Sequence, residues 1–178
     1  LPAYQRQMSI LAYLEPGSYG ESRIPFDLTD AQIGIIHRDS YYLFPVCEQG
    51  SNKPLNVMTA RAQIANLLRS PFSSPSQIAS LTRIKRSALT ELRGKLNPML
   101  VNELDNLKFA PILISTDMRS PALPLSELRQ TERGIGSHAL TIFDTGETMV
   151  FDQSHIFFDG AWGTALSEIM TNEALSWA

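Results

Sequence analysis

The segment that most restricts the fold is Asp144-Thr145-Gly146, set between two apolar alternations, His138–Phe143 and Glu147–Ser154. A short Asp/Gly turn between period-two patterns predicts an antiparallel hairpin. A chain with a committed hairpin must bury one of its faces against something else. Helical periodicity elsewhere supplies the covering layer. Ile84, Ala88, Leu89, Leu92 and Leu96 recur at three- and four-residue spacing, which predicts a helix starting after a Thr82 cap. Asn97-Pro98 predicts a second helix to about Leu107, since Asn caps and Pro suits the first helical position.

Gln32–Ile36 and Tyr41–Cys47 read as a further hairpin around His37-Arg38-Asp39-Ser40. Asn56 predicts a capped helix to about Leu68. Phe109–Ser115 reads as a strand, with Pro111 placing its start or an edge there. Leu125–Arg133 reads as a short helix capped by Ser126 and broken by Gly134-Ile135-Gly136. Residues 1–14 read as an amphipathic helix stopped at Glu15-Pro16-Gly17-Ser18. The residues after Gly160 read as one closing helix. Helices interleaved with hairpins imply an α/β or α+β fold with a mixed or antiparallel sheet. The expected division is a lead-in over residues 1–31 and one domain over 32–178.

Composition narrows the partners. A net charge of −3 over 178 residues gives no large electropositive face for nucleic acid. No apolar run reaches the length of a membrane span. The single cysteine, Cys47, excludes an intrachain disulfide and reads as a packed thiol. No two histidines have ligand spacing, so no metal is expected. Neither phosphate-loop glycines nor a Gly-x-Ser-x-Gly elbow occurs.

What remains for chemistry is His155-Ile156-Phe157-Phe158-Asp159-Gly160, directly after the second strand of the last hairpin. An imidazole is suited to take a proton from a hydroxyl or thiol near neutral pH. Asp159 could hold the turn or fix the ring. Gly160 is expected to allow a sharp turn. The three apolar residues are expected to surround the imidazole and favour its neutral form. His138 and His37 read as structural.

The order of landmarks resembles the choline/carnitine acyltransferase family from about Arg23 to the end of the chain. Arg23-Ile24-Pro25 resembles the family's arginine–x–proline element, followed by the paired strands. Pro54-Leu55 resembles a helix start. Leu81-Thr82, Arg86, Leu89, Leu92-Arg93 and Leu96 are similar to the family's Leu-Thr helix. Asn97, the helix to Leu107, the strand to Asp117, the Asp144-Thr145-Gly146 hairpin and the His motif follow in order. The resemblance implies a chloramphenicol acetyltransferase-like half, a mixed sheet flanked by helices. It implies transfer of an acyl group between coenzyme A and a small alcohol such as carnitine. His155 would be the general base, supported by Asp159, with Gly160 as the turn residue.

Two departures bear on this. Glu132-Arg133-Gly134-Ile135-Gly136-Ser137-His138 stands where the family has an aromatic-containing stretch. The family's coenzyme A, ammonium and oxyanion residues fall after the matched segment, so a second chain or a C-terminal half is the expected complement. A binding or scaffolding module is the alternative. So is a condensation-type acyltransferase, although Ser154 stands where that group carries a second histidine.

Overall fold

The computed structural model describes residues 10–17, 20–71, 76–82, 84, 86–117, 119–129 and 138–177. Five strands form a mixed sheet. β3 (Gln32–His37), β4 (Ser40–Pro45), β5 (Ile112–Ser115), β6 (Leu140–Asp144) and β7 (Met149–Gln153) lie in the order β4-β3-β5-β6-β7. β3, β5 and β6 are parallel, and β4 and β7 close the two edges antiparallel. A separate two-stranded ribbon joins β1 (Ala12–Gly17) to β2 (Gly20–Pro25). The helices are α1 (Val57–Arg69), α2 (Gln77–Leu81), α3 (Arg86–Arg93), α4 (Pro98–Leu107), α5 (Leu125–Leu128) and α6 (Gly160–Ser176). The fold is thus mixed α/β.

Alternation along the central strands divides the core. Leu113 packs with Ile36, Ile78, Leu81, Leu89, Leu100, Leu104 and Leu107, against α2, α3 and α4. Its neighbours Ile112 and Ile114 turn to the other face, as the pleat requires. There they meet Leu140, Ile142, Phe157 and Phe158, together with Ala12 and Leu14 of β1 and Trp162, Leu166 and Met170 of α6. The β1–β2 ribbon is fixed to the sheet by rings: Phe26 lies edge-on to Phe109 at 5.4 Å between centroids, and Tyr13 stacks on Phe26 at 6.5 Å.

Both hairpins of the main sheet stand where the turn residues put them. Asn56 and Asn97 cap α1 and α4 through their side chains, accepting from Met58 N at 2.9 Å and Leu100 N at 2.8 Å. Cys47 is buried, its thiol 3.7 Å from the Leu28 carbonyl oxygen.

Four expectations are corrected. Residues 12–14 open strand β1 instead of closing a helix, and the polar stretch after them contributes β2. Ala12 and Leu14 fit either period, and burial against Phe157 and Phe158 selects the extended one. Thr82 ends α2 instead of starting a helix; α2 is itself capped by Ser76, which accepts from Ile78 N at 3.2 Å. The α3 helix covers only Arg86–Arg93, leaving Leu96 beyond it. The α5 helix begins after Pro124, so Ser126 lies inside it. The expected helix over residues 1–9, the end of the 125–133 helix and the stretch Glu132–Ser137 lie outside the described residues. No helix among the described residues is long and apolar enough to cross a membrane.

Candidate functional site

Strand β7 delivers the chain to His155. Ser154 N donates to the Ala139 carbonyl at 2.9 Å, which extends the sheet pairing one residue past β7. The Ser154 carbonyl then accepts from Phe157 N at 2.9 Å and Phe158 N at 3.1 Å, closing a tight turn. Phe157 and Phe158 are buried in the core, and His155 and Ile156 between them and the strand are exposed. The apolar residues therefore anchor the turn from below. They do not enclose the imidazole, which corrects the expectation of an apolar surround. Among the described residues no hydrogen-bond partner holds the His155 ring.

Asp159 is the N-cap of α6: its Oδ1 accepts from Trp162 N at 2.8 Å. Of the two roles open to it, holding the turn is the one realised here, and a contact with the His155 ring is not formed. Gly160 is the first residue of α6. A Cβ built on it meets nothing within 4 Å, and its φ lies outside the left-handed region. The turn therefore does not require glycine there. The closer approach is at Gly163, one turn later. A Cβ at Gly163 would collide with Gln153 Oε1.

That collision marks a joint. Gln153, the last residue of β7, donates through Nε2 to the Gly163 carbonyl at 2.7 Å and to Ser167 Oγ at 2.9 Å. On the neighbouring position Asp152 accepts from Arg129 Nε at 2.8 Å, tying the end of α5 to the same strand. Arg23 of β2 lies over the Phe157 ring at 4.8 Å from its centroid, so the Arg23-Ile24-Pro25 element and the His155 turn, 132 positions apart by number (155 − 23), meet in space.

One open cleft of about 500 Å³ lies here, lined by Leu125, Arg129, Asp152, Gln153, His155, Phe158 and Asp159 among others. The described lining holds one guanidinium, Arg129, already paired with Asp152, and the two carboxylates Asp152 and Asp159. It has no basic cluster suited to the phosphates of coenzyme A. What it offers chemically is an accessible imidazole above an apolar floor.

The other histidines lie elsewhere. His138 is buried, with Nε2 2.7 Å from Thr141 Oγ1. His37 ends β3, at the opposite end of the sheet from His155. Its Nδ1 lies 2.9 Å from Thr116 Oγ1, and that hydroxyl donates to the Ile36 carbonyl at 3.1 Å. The Thr116 oxygen therefore receives the Nδ1–H of the ring, and the same nitrogen lies 4.0 Å from Asp117 Oδ1. Each of the two rings is in contact with a threonine hydroxyl of the fold. No group of three or more His, Cys, Asp or Glu suited to a metal is gathered among the described residues.

The sequence reading missed Gln153, Asp152, Arg129 and Gly163. A glycine inside a helix pattern signals close approach, and Gly163 carried that signal. The Arg129–Asp152 pair spans 23 positions and has no local signature. No protein-family model matches the chain, and no curated protein matches it.

Proposed function

We propose that this chain is the His155-bearing part of a coenzyme A-dependent acyltransferase of the choline/carnitine type, acting on a small alcohol with carnitine as the first acceptor to try. The observation behind it is the exposed His155 ring at the rim of the 500 Å³ cleft, on a turn held by buried Phe157 and Phe158. In this reading His155 takes the proton of the acceptor hydroxyl as its oxygen attacks the thioester carbonyl; the C–S bond then breaks, the acyl group stays on that oxygen, and the imidazolium returns the proton to the coenzyme A thiolate. Asp159 contributes by fixing the start of α6. The acyl donor's phosphates find no basic cluster in the described lining, so the residues named here account for the acceptor side alone. The chloramphenicol acetyltransferase-like arrangement belongs to the same proposal, built on the mixed five-stranded sheet.

The test is acyl-CoA turnover against a panel of small alcohols. His155→Ala is expected to lower turnover by about 10²–10⁴-fold, the range of general-base catalysis. Unchanged turnover removes His155 from the mechanism. A second reading, an acyltransferase-like module that binds without turnover, draws on the His155 ring having no orienting carboxylate. Calorimetry separates them: coenzyme A binding with no transfer to any acceptor favours the module.

A further inference from the structure

We infer that Gln153 is a positioning residue for His155, resting on the reading of His155 as base. The His155 ring has no hydrogen bond of its own among the described residues, so its place depends on the backbone that carries it. That backbone runs from β7 through the turn at Ser154–Phe158 into α6. Gln153 bridges the two ends of this path. Its Nε2 spans to the Gly163 carbonyl at 2.7 Å and Ser167 Oγ at 2.9 Å, while its Oε1 fills the space that a side chain at Gly163 would need. Ser167 Oγ itself donates to the Gly163 carbonyl at 3.1 Å, so the amide joins a closed set of contacts within the first two turns of α6.

The alternation of β7 makes this clamp two-sided. Phe151 packs into the core beneath α6, and Gln153 follows it on that face. Asp152 faces the other way, to Arg129. The strand end is thereby fixed two residues before the imidazole. A base must be placed to within a fraction of an ångström, and a 1 Å misplacement costs on the order of 10²-fold in rate. Gln153 is neutral, so its removal changes the position of His155 without adding or deleting a charge.

The experiment uses the full chain and two readouts. The first is kcat and KM for acyl transfer. The second is the imidazole NMR spectrum, with the His155 signal identified by its loss in His155→Ala. Gln153→Met, of similar length without the amide, is expected to lower kcat about 10–100-fold with KM within about twofold. It should broaden or split the His155 signal and leave those of His37 and His138 in place. Ser167→Ala, which removes one of the two acceptors, should give a smaller change of the same kind, and it decides the matter if Gln153→Met does not fold. An unchanged His155 signal, or equal disturbance of all three histidines, overturns the inference. Absence of turnover in the wild-type chain even with the complementing half supplied defeats the acyltransferase reading instead, and the NMR criterion then decides the role of Gln153 alone.

Discussion

The Asp159 carboxylate accepts the backbone N–H of Trp162 at 2.8 Å. It stands four residues after His155, and this contact caps the helix. Capping and charge can be separated by substitution. Asn caps as well as Asp, and Ala does not. Asp159→Ala should therefore lower stability by about 1 kcal/mol, while Asp159→Asn should stay within a few tenths. Thermal unfolding measures both. If Asp159→Asn also retains transfer activity, capping is the whole role. A large loss of activity at preserved stability would instead show that the charge acts on His155.

The two glycines of α6 should respond in opposite ways. Gly160→Ala places a methyl in open space and should be neutral or stabilising by up to about 1 kcal/mol, through the unfolded chain. Gly163→Ala places a methyl against Gln153 Oε1, so the amide must swing away from Gly163 O and Ser167 Oγ, and the variant should lose about 1 kcal/mol, the worth of a typical hydrogen bond. Denaturant unfolding of the two variants tests this, and equal effects would contradict the close approach.

The turn at the far end of the sheet holds two non-glycine residues in the left-handed region, Arg38 at φ 52° and Asp39 at φ 57°. Asp117 stabilises it from β5's exit, accepting Arg38 N at 2.5 Å and Asp39 N at 3.1 Å. Asp39→Gly should raise stability by about 1 kcal/mol, because the left-handed conformation costs an L-residue that much. Asp117→Ala should lower it by about 1–3 kcal/mol, leaving both donors without their carboxylate. Chemical denaturation reads both signs.

Acid should weaken one contact on α4. Burial pushes the Asp105 carboxyl up. The hydrogen bonds and charges of Lys108 and Arg93 outweigh it, and hold the group below its ordinary value. A folded-state pKa below the unfolded one contributes stability above the unfolded value, near 3.9, and loses it as pH falls through the folded value. Stability measured by denaturation should thus fall below about pH 4, and Asp105→Asn should flatten part of that fall. An identical acid slope in the variant would count against this account.

Much of the frame was legible in the sequence because it is locally encoded. Asn56 and Asn97 cap helices through contacts two or three residues away. Asp144-Thr145-Gly146 makes its own turn, with Gly146 at φ 80° and its N–H donated to Asp144 Oδ1 at 2.7 Å. The position of His155 at a strand exit was equally local. Tertiary structure decided what local pattern leaves degenerate. Ala12 and Leu14 became a strand because Phe157 and Phe158 bury them, and Thr82 fell at the end of the short helix that Ser76 caps. It decided the sheet order, since parallel pairing of β3, β5 and β6 joins residues that no turn connects. It also decided the site: Arg23 over Phe157, Arg129 on Asp152 and Gln153 against Gly163 are contacts made by packing across the fold. The sequence by itself determined where the imidazole stands along the chain. Only the fold determined what holds it there, because those partners are brought together by burial and not by spacing.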